Sequence, residues 1–472
     1  MKLRFLEPGE LQYRHSVENY YTYEKYIRNP SIGLMTLATI AKKYVQDTVM
    51  YSESVSKIKW KDVLDADIVF ISIFTFNANR GYELAQYVKK NSNAVVVLGG
   101  LHASMNYSEA VQYCDYVLLG EGDESIVDLI TSYEEGKPLS FEGLAYLKDG
   151  EVVCTGNRKP PENIDYIPDR NIVYNYKKMA GHNTLWPQVH ASRGCPHSCD
   201  YCALVRHFGR RVRTRSPENV VEDIRQAITF HDEGHHRMAK VLWITDDNFF
   251  ADRKWAMDVL QHIIDNGIKY RFTVQARYEV GFDDEMLELL KKAGFMEISM
   301  GIEFLEDASF EEFHKECSYQ KLVQSIENIQ AHGLNVRGLF IVGADIHEKG
   351  VGEKIAHFVL EHNIKGILIQ SMYFVPGTPV YEQSKDKLLH QNWSKYNGNV
   401  VHYPKRISAY DLQKEIIYAS KKIYSLKRML YVITHWRGIE RLLFIGEYFW
   451  QRSVRARLKK ELVNLPREIN RE

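Results

Sequence analysis

Residues 188–202 read Gln188-Val-His-Ala-Ser-Arg-Gly-Cys195-Pro-His-Ser-Cys199-Asp-Tyr-Cys202, a short strand pattern that runs directly into three cysteines. Three thiolates on one loop can each take a corner of a cubane iron–sulfur cluster. A fourth cysteine would saturate the cluster, whereas three leave one iron open to act on a substrate. The alternative is a zinc site of the three cysteines and His197, which would put all four tetrahedral ligands on one short loop.

The strand before these cysteines opens a series of six βα units. Apolar runs predict strands at 188–192, 241–245, 272–276, 297–301, 336–342 and 366–373, with helical patterns between them. One helix begins at Ser216-Pro217-Glu218, where serine caps the helix, proline occupies the first turn and glutamate meets the helix dipole. The series predicts a curved parallel sheet or partial (βα)6 barrel, whose site lies at the carboxyl ends of its strands.

Residues 1–150 show a second alternating pattern. Apolar runs at 2–6, 67–74, 94–98 and 116–119 predict buried parallel strands, and helical segments separate them. A doubly wound sheet of this kind binds ligands beyond the carboxyl ends of its strands. Two glycine loops occur there, Gly99-Gly100-Leu101-His102 and Gly120-Glu121-Gly122.

The chain is therefore predicted to be an α/β protein in four parts. The doubly wound domain at 1–150 is followed by a hairpin and linker at 151–185, the barrel at 186–385 and a helical C-terminal region at 386–472. The hairpin begins at about residue 143 and turns at Asp149-Gly150.

Composition narrows the class of protein. The 472 residues carry a formal net charge of zero, which gives no sign of a nucleic-acid partner. The N-terminus shows no secretory signal, and the apolar runs are too short to span a membrane. Six cysteines in a chain of this length do not make a disulfide scaffold. We therefore expect a cytoplasmic protein whose clustered cysteines bind metal.

The C-x3-C-x2-C spacing, with Tyr201 before the last cysteine, resembles the radical S-adenosylmethionine (SAM) superfamily. The resemblance implies a [4Fe–4S] cluster on Cys195, Cys199 and Cys202, whose open iron chelates SAM. Reduction would then cleave SAM and yield a 5′-deoxyadenosyl radical that abstracts hydrogen from the substrate. Tyr201 would lie near the adenine of SAM.

Further residues at the strand ends resemble the SAM-binding positions of that family. They are Asp246, Asp247, Gln275, Arg277, Glu303 and Gly343. The glycine motif at 338–343 departs by one residue from the family spacing, which puts its contacts in doubt.

The first domain resembles the cobalamin-binding domain that precedes the radical SAM domain in a large subclass. The resemblance implies cobalamin contacts from Ser72, Thr75, Asn77, Gly99, Gly100, Leu101, His102, Gly120, Glu121 and Gly122. The D-x-H-x-x-G signature of cobalt-ligating domains is absent, so we expect no histidine on the cobalt. The alternative is a sheet that has lost its ligand and only supports the barrel.

The reaction implied by this resemblance is methylation of an unactivated carbon on a small-molecule or lipid-like substrate. The alternatives are a radical cyclase or rearrangement enzyme without net methylation, and a non-catalytic corrinoid or redox sensor. A reducing partner such as flavodoxin or ferredoxin would supply electrons. Methylthiotransferases share the two-domain layout but carry further cluster cysteines, whereas the N-terminal part here has only Cys114 and Cys154.

Two charged stretches allow more than one interpretation. The arginines at 206–215 could receive a phosphate or carboxylate, or pair with acidic neighbours. In the C-terminal helix, Leu442, Leu443, Phe449, Trp450, Val454 and Leu458 predict one apolar stripe among basic residues. Such a helix either packs on the barrel or contacts the inner membrane face as a peripheral anchor.

Overall fold

The structure is a computed structural model that describes residues 1–472 except 11, 15–17, 19–20, 23–27, 183, 236–238 and 470–472. The N-terminal strands are β1 (Leu3–Glu7), β2 (Gln12–Arg14), β3 (Tyr21–Thr22), β4 (Thr48–Ser52), β5 (Ile68–Ser72), β6 (Val95–Gly99), β7 (Tyr116–Leu118), β8 (Leu144–Lys148) and β9 (Glu151–Cys154). The helices of the same part are α1 (Ile32–Lys42), α2 (Trp60–Val63), α3 (Ala78–Asn91), α4 (Leu101–Met105), α5 (Tyr107–Ala110), α6 (Ser125–Glu134) and α7 (Tyr176–Ala180).

The predicted doubly wound sheet is confirmed. Its strand order is β4-β1-β5-β6-β7-β8-β9, parallel as far as β7, and the hairpin β8–β9 adds an antiparallel edge. Successive residues of each strand enter cores on opposite faces, as Phe70 and Ile71 do. Strand β4 was not predicted, because Thr48-Val-Met-Tyr-Ser52 lacks the unbroken apolar run of its neighbours.

The segment expected to be a polar linker is folded against this sheet. Val173 forms a parallel bridge with Met50 of the edge strand, and Tyr176, Met179 and Ala180 are buried. Burial of these side chains fixes the path of the chain between the two sheets.

The six predicted strands of the second sheet are confirmed in the order β10-β13-β14-β15-β16-β17, all parallel. The strands are β10 (Gln188–Val189), β11 (Ser192–Arg193), β12 (Arg213–Thr214), β13 (Val241–Ile244), β14 (Arg271–Ala276), β15 (Phe295–Glu303), β16 (Asn335–Val342) and β17 (Gly366–Ser371). The helices are α8 (Ala203–Phe208), α9 (Pro217–Asp232), α10 (Arg253–Asp265), α11 (Asp284–Lys292), α12 (Asp307–Glu312), α13 (Tyr319–Ala331), α14 (Val351–Glu361) and α15 (Pro379–Glu382).

The first predicted strand of this sheet is split in two. Its second half, β11, pairs antiparallel with β12 rather than continuing along β13. The reason is a contact across the sheet, because the Ala191 amide donates to the side chain of Asp246, 55 residues away, at 2.6 Å instead of to a strand neighbour. The chain therefore turns out of the sheet just before the cysteines.

Three helices close the chain: α16 (Ala409–Ile423), α17 (Leu426–His435) and α18 (Gly438–Glu461). No helix in the described ranges is long and apolar enough to cross a membrane. The prediction of one apolar stripe on α18 is wrong. Leu458 is buried in the core, whereas Leu442, Phe449 and Trp450 are exposed, because the predicted positions cover too wide an arc to face one way.

Candidate active site

One cavity of about 540 Å³ joins the two sheets. The glycine loops after β6 and β7 form one wall, and the inward-facing residues of β10 and β13 form another. Side chains of the barrel that line it are Gln188, His190, Ser192, Arg193, Leu204, His207, Phe208, Arg215, Trp243, Thr245 and Asp247. Candidates that lie 100 residues and more apart in the sequence therefore line one cavity.

Seven of the ten candidate cobalamin contacts line this cavity: Ser72, Gly99, Gly100, Leu101, Gly120, Glu121 and Gly122. Within the described chain, Thr75, Asn77 and His102 lie outside the lining. The side-chain oxygen of Asn77 accepts from the backbone N–H of Phe74, and its side-chain nitrogen donates to the Pro8 carbonyl. Thr75 and His102 are buried against each other, 3.2 Å apart, so these three residues support the loops from within.

The glycines of the two loops serve different purposes. Gly100 has a φ of +89°, and a Cβ there would lie 2.8 Å from the Ile73 carbonyl oxygen, so the backbone itself requires glycine. At Gly99, by contrast, the nearest atom to an added Cβ is the Leu118 oxygen at 3.9 Å, and at Gly120 nothing lies within 4 Å. These two positions leave open the space that a flat macrocycle would occupy.

The polar residues of β10 and β13 follow strand alternation. Gln188 and His190 face the cavity while Val189 between them is buried in the outer core. Sequence analysis missed His190 and Trp243 as site residues, although the alternation of polar and apolar residues in 188–192 was a signal for the former. Burial lowers the pKa of His190 to about 3, so this ring remains uncharged.

The two adjacent aspartates have different environments. Asp246 is fully buried and accepts from the Ala191 amide at 2.6 Å and from the Ser192 hydroxyl at 2.5 Å, which fixes the turn before the cysteines. Asp247 lines the cavity, and its buried Oδ2 has no hydrogen-bond partner among the described residues. Burial, followed by the charge of Asp246, raises the pKa of Asp247 to about 7. An ammonium group would satisfy this oxygen.

The cysteine loop lies between β11 and α8. All three thiols are free and half-buried, and the Cys202 amide donates to the Cys199 carbonyl in a tight turn. Across the described ranges, no three or more His, Cys, Asp or Glu side chains converge on a single ion. A cubane does not need such convergence, because each cysteine binds a different iron.

A cation and an ion pair stand beside this loop. The Arg277 guanidinium lies 3.7 Å from the Cys199 sulfur and also bonds the Glu279 carboxylate. Lys315, which sequence analysis missed, is buried with its ammonium 3.8 Å from the Glu303 carboxylate and donates to the Gly301 carbonyl. Burial raises the pKa of Glu303 and lowers that of Lys315. Nothing in the local sequence distinguishes Lys315 from a surface lysine.

The remaining candidates are Tyr201, which belongs to the cysteine loop, and two residues at or near strand ends, Gln275 and Gly343. Tyr201 packs edge-on against the stacked rings of Phe304 and Phe313, and Gln275 lies near the carboxyl end of β14. Gly343 is at the end of β16, but a Cβ there would meet the His402 ring at 2.7 Å. The C-terminal region therefore covers the space beside Gly343.

A buried ion-pair network connects the two domains. Arg193 bonds Asp123 with two nitrogens, at 2.8 and 3.0 Å, and Glu121 at 2.6 Å. Arg213 faces it across the β11–β12 ladder and bonds both oxygens of Glu121. Since Cys195 follows Arg193 by two residues, the network ties the second glycine loop to the base of the cysteine loop. The sequence analysis allowed the arginines at 206–215 either to receive a phosphate or carboxylate or to pair with acidic neighbours. Arg213 pairs with an acidic neighbour, Glu121.

We expect Arg193→Met to lower the free energy of unfolding by about 3 kcal/mol, because it removes the arginine that pairs with the buried Asp123 carboxylate, whereas Glu121 keeps its pair with Arg213. Adding Asp123→Asn should restore part of that loss. Urea unfolding followed by circular dichroism under anaerobic conditions measures both. The matched control is Arg211→Met, which breaks an exposed pair with Glu162 and should cost about 1 kcal/mol or less. Equal losses at the two sites would contradict the prediction.

Comparison with known proteins places the chain in a family. Residues 189–352 match the radical SAM superfamily, and residues 28–130 match the B12 binding domain. The two matches fall on the barrel and on the doubly wound sheet, on either side of the cavity. The chain belongs to the radical SAM superfamily, in the group that carries a B12 binding domain ahead of the barrel.

Characterised relatives include methyltransferases and a cyclase. The chain is 25% identical over 406 residues to the bacteriochlorophyllide d C-12(1)-methyltransferase of Chlorobaculum tepidum, covering 84% of each chain. It is 26% identical over 371 residues to the anaerobic magnesium-protoporphyrin IX monomethyl ester cyclase of Cereibacter sphaeroides, covering 75% of this chain and 59% of the cyclase.

The fold is also that of a solved structure. The cobalamin-dependent S-adenosylmethionine radical enzyme OxsB, solved with aqua-cobalamin and S-adenosylmethionine bound, superposes with a TM-score of 0.70. The match covers 98% of this chain and 72% of that one, at 14% sequence identity. At this identity the likeness supports the fold, including the order of the two domains.

Proposed function

We propose that this protein is a cobalamin-dependent radical SAM enzyme that methylates an unactivated carbon of a small-molecule or lipid-like substrate. The observation that carries the proposal is the single cavity bounded by the glycine loops on one side and by β10 and β13 of the barrel on the other. A substrate there could reach groups held by both domains. The similarity to methyltransferases supports methylation as the outcome.

Each cofactor has residues in the chain that fit it. Cys195, Cys199 and Cys202 would hold a [4Fe–4S] cluster, and Ser72 and the two glycine loops would hold cobalamin. For SAM we propose contacts from Tyr201, Asp247, Gln275, Arg277 and Glu303. When bound, these groups would supply a 5′-deoxyadenosyl radical and a transferable methyl group.

The chain's own residues prepare the site for such chemistry. Asp246 fixes the turn that presents the cysteine loop, and Arg277 places a positive charge beside Cys199. Arg193 and Glu121 hold the second glycine loop against the barrel. Apolar residues such as Leu101 and Phe208 contribute to the lining of the cavity, and aliphatic and aromatic surface of this kind suits an apolar part of a substrate.

Two other functions use the same architecture. A cyclase or rearrangement enzyme would cleave SAM without transferring its methyl group, and the similarity to the magnesium-protoporphyrin cyclase favours keeping this candidate. A corrinoid or redox sensor would neither cleave SAM nor transfer its methyl group.

Anaerobic reaction separates the three. We expect reduced, reconstituted protein with methyl-labelled SAM and a cell extract to give 5′-deoxyadenosine and a product that carries the label, both detected by mass spectrometry. 5′-Deoxyadenosine with an unlabelled product would indicate the cyclase or rearrangement enzyme instead. A protein that binds SAM but forms no 5′-deoxyadenosine would be a sensor.

We further propose that flavodoxin or ferredoxin reduces the cluster. Pro196 and Ser198 on the cysteine loop are exposed, so an electron donor can approach there. The test is to mix the reconstituted protein with a flavodoxin and its reductase. If the cluster is reduced, its visible absorption should decrease.

We also propose a cytoplasmic location with peripheral contact to the inner membrane face through the C-terminal helices. The exposed apolar residues of α18 support this contact.

A further inference from the structure

Helix α17 presents an apolar stripe to solvent. Of its ten residues only Val432 is buried, while Leu426, Leu430 and Ile433 are 58, 55 and 39% exposed. These three positions are spaced i, i+4 and i+7, so they share one face of the helix. An amphipathic helix on a globular domain normally turns such a stripe to the core. Here the core takes a different face, which Val432 marks.

Helix α18 adds to this surface. Leu442, Phe449 and Trp450 are 45, 58 and 39% exposed, on the side away from the buried Phe444 and Leu458. The two helices pack on each other at the Trp436–Phe444 contact. Leucine, phenylalanine and tryptophan are the residues that interfacial helices insert at the boundary between lipid headgroups and acyl chains.

The surrounding charge is strongly positive. Residues 421–460 contain eleven lysines and arginines but only two acidic residues, Glu440 and Glu447. Both carboxylates are used inside the protein, since Glu440 accepts from Asn335 and Glu447 accepts from Arg337. The exposed cations of the segment are Lys421, Lys422, Lys427, Arg437, Arg452, Lys459 and Lys460.

A basic groove continues this surface onto the barrel. It has a volume of about 800 Å³ and is lined by Lys240, Lys269, Arg271, Lys292, Arg441 and Leu442 among others. Two of its five cations form ion pairs, Lys240 with the partly buried Asp232 at 4.0 Å and Lys292 with the exposed Glu288 at 3.8 Å. The groove therefore has more cations in its lining than carboxylates paired with them at these two contacts.

We infer that the exposed faces of α17 and α18, together with this groove, form a docking surface for an anionic lipid bilayer. The inference rests on the proposed membrane contact and gives it a defined surface. Apolar side chains would enter the headgroup boundary while the basic residues meet lipid phosphates. The excess of positive charge selects an anionic bilayer rather than a neutral one.

The docked orientation follows from the strand directions. Lys240 precedes β13, Arg271 begins β14 and Lys292 precedes β15, so the groove lies at the amino ends of the strands. The cysteine loop and Asp247 lie at the carboxyl ends, on the opposite side of the sheet. The bilayer therefore contacts the side of the barrel at the amino ends of the strands, and the cavity faces away from the lipid. A membrane-derived substrate must leave the bilayer before it reaches the site.

Vesicle co-sedimentation of the full-length protein tests the surface. We expect the wild type to pellet with vesicles of phosphatidylglycerol and phosphatidylcholine at low salt and to remain in solution with phosphatidylcholine alone. Replacing Leu430, Phe449 and Trp450 by serine should weaken binding by at least about tenfold. Replacing Lys427, Arg437 and Arg452 by glutamate should do the same, and should remove the salt dependence.

The control is Leu147→Ser with Val152→Ser, which removes two apolar residues of the β8–β9 hairpin that are 38 and 39% exposed and should leave binding unchanged. Near-ultraviolet circular dichroism verifies the fold of each variant. A wild type that stays in the supernatant with anionic vesicles would overturn the inference, as would a dimer in light scattering that the serine variant alone dissociates. SAM cleavage, measured in parallel, reports on the proposed enzyme independently.

Discussion

The variant in which Cys195, Cys199 and Cys202 are all alanine should contain no iron–sulfur cluster and form no 5′-deoxyadenosine. The three thiols share one loop and are free, and a cubane bound through three cysteines has no other anchor on that loop. We expect iron and sulfide to fall from four of each per wild-type protein to background after anaerobic reconstitution. Absorption spectroscopy and metal analysis measure the loss.

Two controls test whether the loss of the cluster is specific to the three cysteines of the loop. Cys317→Ala changes a thiol outside the loop and should retain the cluster at the wild-type level. Cobalamin binding by the triple variant should also persist, because the glycine loops belong to the other sheet. Full iron and sulfide in the triple variant would contradict the assignment, and zinc in place of iron in the wild type would favour the site that uses His197.

Substitution of Gly99 by leucine should abolish cobalamin retention. Gly99 lines the cavity, and an added Cβ there meets nothing closer than the Leu118 oxygen at 3.9 Å, so the side chain can extend into the space without disturbing the backbone. A flat macrocycle needs that space. Cobalt content and the absorption spectrum after gel filtration measure retention.

The choice of Gly99 follows from its neighbours. A Cβ at Gly100 would collide with the Ile73 backbone, and one at Gly122 would press on Leu37 at 3.1 Å, so either change alters folding as well as binding. Gly446→Leu on the exposed side of α18 is the control for a leucine in place of glycine and should retain cobalamin fully. If Gly99→Leu retains cobalamin like the wild type, Gly99 does not border the corrin. If the folded wild type retains none after reconstitution, the first domain is a scaffold and methylation from cobalamin fails as a proposal.

Most of the fold was predictable because its signals are local. The six barrel strands and the four main strands of the first sheet follow from apolar runs of strand length. The Ser216 cap was also predicted, and its hydroxyl accepts from the Asn219 amide. The boundary of the first barrel strand was missed, because the Asp246 side chain that ends it lies 55 residues away.

The candidate site was predicted at the level of loops but not of individual side chains. Parallel strands bring their carboxyl ends to one edge, so Asp247 and the glycine loops could be placed near ligands. Which of two adjacent aspartates faces the cavity depends on burial, and Asp246 is taken up by the backbone of Ala191. Thr75 and Asn77 were expected to face a ligand and instead support the loop from inside.

The sequence by itself determined the elements and the chemistry of the cysteine loop, since both are written in residues a few positions apart. Only the tertiary structure showed that Glu121 pairs with Arg213, 92 residues away, and that Lys315 is buried beside Glu303. It also decided which side of α18 meets the core, because the six apolar positions cover a wide arc and only contacts with neighbouring elements determine which of them are buried. Ion pairing, burial and helix orientation depend on contacts between distant segments, and folding alone brings those segments together.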